Sequence, residues 1–179
     1  MALGGDLIDT FSAKNRPKKV RHLEPRLYLE TTVPSYLVAR ESRDAIMHGQ
    51  QAATRKWWEQ RRSDYELFVS EFVDIEAGRG DAAMSVARVA AMQGLPRLAA
   101  TEDVRELAAE ILRTGLIPAK AEVDASHIAV AAVHRMDILL TWNCTHIHNI
   151  AISRQIERIC ARAGWPCPAI CTPFDLLES

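Results

Sequence analysis

The chain has 179 residues, 48% of them hydrophobic and 25% charged, enough for one packed domain and incompatible with wholesale disorder. Lys and Arg total 22 against 23 Asp and Glu, and the resulting net charge of −1 excludes a protein that holds nucleic acid mainly by bulk positive charge. Uncharged stretches such as 125–134 are short, and 138–153 carries Asn, Thr and His throughout, so no segment supplies the ~20 apolar residues of a membrane span.

The opening Met1-Ala2-Leu3-Gly4-Gly5-Asp6 has no charged region followed by an apolar block, so no secretory signal is expected. Cys144, Cys160, Cys167 and Cys171 form no CxxC pair, which points to reduced thiols and a cytoplasmic protein. Residues 1–24 carry a basic run, Lys14, Arg16, Lys18, Lys19 and Arg21, around Pro17. They read as a solvated leader, with a phosphate-contacting arm as the alternative. The folded domain is expected over 25–179.

From Arg26 onward, short apolar runs alternate with helical stretches. Leu27-Tyr28-Leu29 predicts a first strand ending at Glu30-Thr31-Thr32, with Thr32 as cap and Pro34 in the first turn of a helix. A longer helix is predicted over 43–61, with Ile46, Ala53, Trp57 and Trp58 on its buried face. The two tryptophans read as core or as a dimer surface, with RNA-base stacking as the alternative. Glu66 to Val69 predicts a second strand, and Ser70 stands where it can cap the following helix. That helix breaks at Gly78-Arg79-Gly80, and another is predicted over 81–92.

Arg97 to Ala100 predicts a weak third strand, and Thr101-Glu102-Asp103 starts a helix that ends at Gly115. Pro118 opens a further helix to about Arg135. Ile138 to Thr141 predicts a buried strand, 147–163 a last helix, and Ala169 to Cys171 a final strand. This alternation implies α/β architecture: three α/β/α layers around a mostly parallel, about five-stranded sheet.

Ligands of open α/β sheets bind beyond the carboxyl ends of the strands. The sequence brings Glu30 and Asn143 there directly, while Glu76 and Asp124 lie on adjoining helices. Neither GxGxxG nor GxxxxGK[ST] occurs, which counts against a nucleotide cofactor. Clustered carboxylates without a basic partner raise one another's pKa, a cost that a hard cation such as Mg²⁺ or Mn²⁺ offsets. That is the logic of a metal-dependent nuclease site. Each residue also has a plainer reading: Glu30 as a strand-end charge, Glu76 as a solvated helix acid with Glu71 and Asp74 as local competitors, Asp124 as a helix-dipole acid and Asn143 as a turn former. His127, one turn from Asp124, reads as a hydrogen-bonded structural residue or as a phosphate contact or proton shuttle. Cys144, His146 and His148, with His127, give a second metal reading, a zinc site, although their spacing follows no zinc motif.

Four segments in order resemble the PIN-domain family, including VapC-like toxins of type II toxin–antitoxin systems. They are 28–36 (YLETTVPSY), 69–76 (VSEFVDIE), 123–132 (VDASHIAVAA) and 137–143 (DILLTWN). The resemblance covers about 26–174. It implies a Mg²⁺- or Mn²⁺-dependent endoribonuclease that cleaves single-stranded RNA by water attack on the phosphodiester. Matched residue by residue, Glu30, Glu76 and Asp124 would hold the metal, Asn143 would be the polar catalytic position after the fourth strand, and Thr31 and Thr141 would support the acids. It further implies an antitoxin partner and a homodimer. Two positions depart from the pattern: Glu30 stands where the family usually has Asp, and Asn143 where it often has Asp. Those departures imply weaker metal binding and keep open the alternative of a catalytically weak or inactive PIN-like module that binds RNA or protein.

Overall fold

A parallel strand can be buried on both faces only if helices cover it, and the apolar runs here are placed for that. The computed structural model describes residues 24–177, so the basic-leader expectation for 1–24 falls almost wholly outside the described residues. Five strands, β1 (Arg26–Leu29), β2 (Glu66–Ser70), β3 (Arg97–Leu98), β4 (Ile138–Leu140) and β5 (Ala169–Cys171), form one sheet in the order β3-β2-β1-β4-β5. All four pairings are parallel, and Leu27 faces Leu67 on one side and Ile138 on the other. Leu27, Tyr28 and Leu29 of the central strand are fully buried.

The helices are α1 (Thr32–Val38), α2 (Ala45–Gln60), α3 (Glu71–Ala77), α4 (Ala82–Ala91), α5 (Glu102–Arg113), α6 (Glu122–Val133) and α7 (Ile150–Arg162). They complete a three-layer α/β/α arrangement. The α1, α2 and α4 helices pack in one group and α5, α6 and α7 in another, while α3 touches both α4 and α6. Thr101 caps α5 by accepting from Val104 N, at the helix start expected there, and Asp81 caps α4 by accepting from Met84 N rather than forming its first residue. Among the described residues no helix is long and apolar enough to cross a membrane.

Several local expectations are corrected. The α2 helix starts at Ala45, where Asp44 accepts from Met47 N, and Ile46 is 75% exposed; Gln51, Ala53, Thr54 and Trp57 form the buried face. Trp57 is core, and Trp58 packs partly buried against that core. Strand β3 is two residues long rather than four. Pro118 opens a short 3₁₀ turn, and α6 begins only at Glu122. The α7 helix starts at Ile150, because the amides of Ile147 and His148 both turn back to the Asn143 carbonyl and hold that stretch as a loop.

Candidate functional site

Glu30 is the first residue beyond β1, and its amide still donates to Leu140 O at 3.0 Å, so its backbone is fixed by the β1–β4 pairing. Strand alternation puts its side chain on the same face as Tyr28. The carboxylate is only 4% exposed. Its Oε2 accepts from Thr141 Oγ1 at 2.7 Å and from Thr32 Oγ1. Each hydroxyl in turn accepts a backbone N–H, from Asn143 to Thr141 at 2.9 Å and from Trp142 to Thr32 at 2.8 Å. Two amides thus orient two hydroxyls toward one carboxylate oxygen. Thr32 therefore does not cap α1. Its hydroxyl serves Glu30 instead, and Thr31 occupies the N-cap position without a side-chain cap bond.

Glu76 comes from the last turn of α3, one helix after β2. Its Oε2 accepts from Thr31 Oγ1 at 2.5 Å and lies 2.9 Å from His127 Nε2. Burial pushes this carboxyl up, but the hydrogen bonds from His127 and Thr31, with the charges of His127 and Arg79, outweigh it and hold Glu76 below the usual carboxylate range. The local competitors are engaged elsewhere. Asp74 pairs with Arg97, and Glu71 Oε1 accepts from Ala100 N at 2.7 Å.

His127, on α6, is completely buried. Its Nδ1 is 2.7 Å from Tyr28 Oη, which is 2.7 Å from Ser70 Oγ. Tyr28 and Phe72 flank the ring, with centroids at 5.8 and 6.3 Å. Burial, with the nearby charges of Glu30, Glu76 and Asp74 adding to it, drives the Tyr28 phenol well above its usual pKa despite the Ser70 bond, so Tyr28 stays neutral. With Glu76 ionised, Nε2 carries the proton that bonds it; in the neutral ring Nδ1 then accepts from Tyr28. Ser70 is thus drawn into the hydrogen-bond chain and makes no side-chain cap on α3.

One ligand atom each from Glu30, Glu76 and His127 lies within 4.8 Å of the other two, and among the described residues this is the one group of three or more such side chains. In both carboxylates Oε2 takes the hydrogen bonds, which leaves Oε1 turned to no partner among the described residues. Two ionisable carboxylates and an imidazole suit a divalent cation by charge and donor type.

Asp124 lies outside that group. Its Oδ2 is 2.7 Å from His146 Nδ1, and both side chains are partly exposed. Asn143 is part of the loop after β4: its amide bonds Thr141, its Oδ1 accepts from His146 N at 3.1 Å, and its carbonyl takes Ile147 and His148. Thr31 and Thr141 each donate to one acid, Thr31 to Glu76 and Thr141 to Glu30. The Cys144, His146, His148 string is split, with His146 turned to Asp124 and Cys144 Sγ 3.9 Å from His148 Nδ1. These residues flank and line a separate cavity of about 460 Å³ between the loop, α7 and β5.

Sequence reasoning missed Tyr28, Thr32 and Ser70 as parts of the site and His146 as the partner of Asp124. The one readable signal was the two-residue spacing of Tyr28 and Glu30 on one strand face.

No family model and no curated protein matches the sequence. Among solved structures, the fold is similar to a chain of VapBC2 from Rickettsia felis, determined bound to a DNA fragment from their promoter. The TM-score is 0.51 at 13% identity, covering 82% of this chain and 97% of that one. At that identity the likeness concerns the fold alone, a PIN-like α/β/α arrangement, while the Glu/Glu/His cluster is a feature of this chain's own geometry.

Proposed function

We propose that the protein is a Mg²⁺- or Mn²⁺-dependent endoribonuclease of PIN type that cleaves single-stranded RNA. The observation that carries this reading is the convergence of Glu30, Glu76 and His127 where β1, β2 and β4 end, the edge at which open parallel sheets bind ligands. Glu30 and Glu76 would hold the cation through their open oxygens, and Asp124, one turn before His127 on α6, would add a third carboxylate once freed from His146. A divalent ion bound there supplies Lewis acidity toward water and toward the phosphate oxygens.

The chain's own residues do the rest. Thr32 and Thr141 hold the Glu30 carboxylate in place and Thr31 holds that of Glu76, so that little reorganisation is needed as charge develops. His127, braced by Tyr28, fixes Glu76 from the buried side. Asn143 holds the Thr141 hydroxyl and the His146 loop at the open side of the site. Water attacks phosphorus, the bond to the leaving oxygen breaks, and the departing oxygen takes a proton. In this reading the protein has a toxin-type role, with an antitoxin covering this edge, a homodimeric assembly and a cytoplasmic setting; the fold likeness to a VapBC2 chain is consistent with the antitoxin partner.

A second reading, RNA or protein binding without cleavage, is favoured by one observation: Asp124 is committed to His146 and Asn143 brings no charge. Cleavage of end-labelled single-stranded RNAs with Mn²⁺, Mg²⁺ or EDTA, with Asp124→Asn in parallel, separates the two. The nuclease reading expects EDTA-sensitive cleavage that the variant lacks. The binding reading expects RNA retention without products from either protein.

A further inference from the structure

We propose that His127 is an inner ligand of the cation, so that the site is a mixed nitrogen–oxygen centre selecting Mn²⁺ over Mg²⁺, with Tyr28 as the group that holds the ring in place. This rests on the metal-site reading above and departs from the all-oxygen donor set that a cluster of acids would give.

Position comes first. A histidine that merely tied down Glu76 would need to be near that acid alone, yet a ring nitrogen of His127 lies within 4.8 Å of a carboxylate oxygen on each of the two acids. The ring is wholly buried, so it is badly placed to meet an RNA phosphate. What it can reach is the space between Glu30 and Glu76.

Bracing comes second. A histidine that ligates a metal through one nitrogen nearly always has the other held by a hydrogen-bonding partner, which sets ring orientation and tautomer. Tyr28 Oη does this at 2.7 Å from Nδ1 and is itself anchored 2.7 Å from Ser70 Oγ. The phenol can bond the ring in either sense. Without a cation it donates to Nδ1 and accepts from Ser70. With Nε2 given to a cation, the ring proton sits on Nδ1, Tyr28 accepts it, and the phenol hydrogen turns to Ser70. Starting from the neutral ring, the proton that leaves Nε2 is matched by the one that Nδ1 gains, so the proton count is unchanged and the phenol and serine need only rotate their hydroxyls.

Donor chemistry comes third. Two carboxylates and a neutral imidazole carry a charge that a divalent ion balances. Mg²⁺ prefers oxygen and water ligands, whereas imidazole suits first-row transition ions. A buried imidazole that Mg²⁺ uses poorly therefore shifts the balance toward Mn²⁺.

The test uses the metal-stripped full chain with Mn²⁺ alone, followed by electron paramagnetic resonance, and then Mg²⁺ competition. Expected are electron spin-echo modulation from a directly bonded imidazole nitrogen and displacement of Mn²⁺ only by a large excess of Mg²⁺. His127→Gln should abolish the nitrogen modulation and bring the two affinities together. Should that variant fail to fold, Tyr28→Phe, which preserves ring volume, should weaken Mn²⁺ binding by ~10–100-fold, the usual effect of losing a ligand's bracing partner. Bound Mn²⁺ without nitrogen modulation, equal affinity for the two ions, no bound Mn²⁺, or unchanged binding in Tyr28→Phe overturns the proposal. RNA cleavage with an oxygen-only site would leave the nuclease reading standing while this inference fell.

Discussion

Thr141 and Glu30, 111 residues apart in sequence, are joined by a hydrogen bond of 2.7 Å in which the threonine hydroxyl donates to Oε2 of the buried acid. The same hydroxyl accepts the Asn143 amide, so one small side chain links the end of β1 to the loop after β4. Thr141→Val keeps the shape but orphans both the amide and one side of a buried carboxylate. It should cost about 1–3 kcal/mol of stability, the penalty for an unsatisfied buried polar group, and Thr141→Ser should recover most of it. Urea unfolding of the three proteins measures this; equal midpoints would show that the bond does not hold the edge together.

Glu30 is one methylene longer than the aspartate of the family it resembles, and the two threonines are set for that length. Glu30→Asp withdraws the carboxylate from both hydroxyls and from the cation space. A displacement of about 1 Å can cost ~10²-fold in rate. Glu30→Asp is therefore expected to lower metal-dependent cleavage on that scale rather than improve it, as read by initial rates at saturating Mn²⁺. A faster Glu30→Asp enzyme would mean that Glu30 is a compromise the fold has not adapted to.

The depressed pKa of Glu76 has a consequence for stability. Because its folded-state value lies below the ordinary 4.5, the ionised form is favoured in the native protein. Its contribution is fully present above the unfolded pKa and is lost as pH falls through the folded one. In EDTA, the difference in urea midpoint between the wild type and Glu76→Gln should therefore shrink steadily as pH is lowered below about 4.5. A difference that stays constant across that window would contradict the assignment of an ionised, hydrogen-bonded Glu76.

His146 is the partner that ties up Asp124, and its removal reports on that acid. His146→Ala leaves the Asp124 carboxylate without its 2.7 Å bond and free to turn. Mn²⁺ affinity should rise if Asp124 is a ligand held in reserve and stay unchanged if Asp124 serves only the loop. Calorimetric titration of the folded variant distinguishes these, and a rise is the result expected here.

Much of the architecture was readable because βα alternation is a local signal. The runs at 27–29, 66–69, 97–100, 138–141 and 169–171 each mark one of the five strands, and Thr101 opens α5 where its sequence context places it. Hydroxyls were the main source of error. Thr32 and Ser70 precede or open helices, which is where cap residues belong, but Thr32 bonds Glu30, two residues before it, and takes the Trp142 amide, while Ser70 bonds Tyr28 on the neighbouring strand. The Trp142 and Tyr28 partners are set by tertiary proximity over dozens of residues, which no window of sequence reports. For the same reason Glu76 could not be told from Glu71 or Asp74 by pattern; the competitors are disqualified only by Ala100 and Arg97 on the neighbouring β3 segment. Tyr28 looked like one more apolar strand residue, and its hydroxyl became meaningful only once α6 brought His127 above it.

The most direct test of the central claim is single-turnover cleavage of a mixed-sequence single-stranded RNA by metal-stripped protein, with Mn²⁺ added back and Glu76→Gln as the matched control. The account predicts no products without metal, cleavage on adding Mn²⁺, and loss of that cleavage in a Glu76→Gln protein that remains folded. Cleavage that survives both metal removal and the substitution, or a folded, Mn²⁺-loaded wild type that leaves every RNA intact, would contradict it.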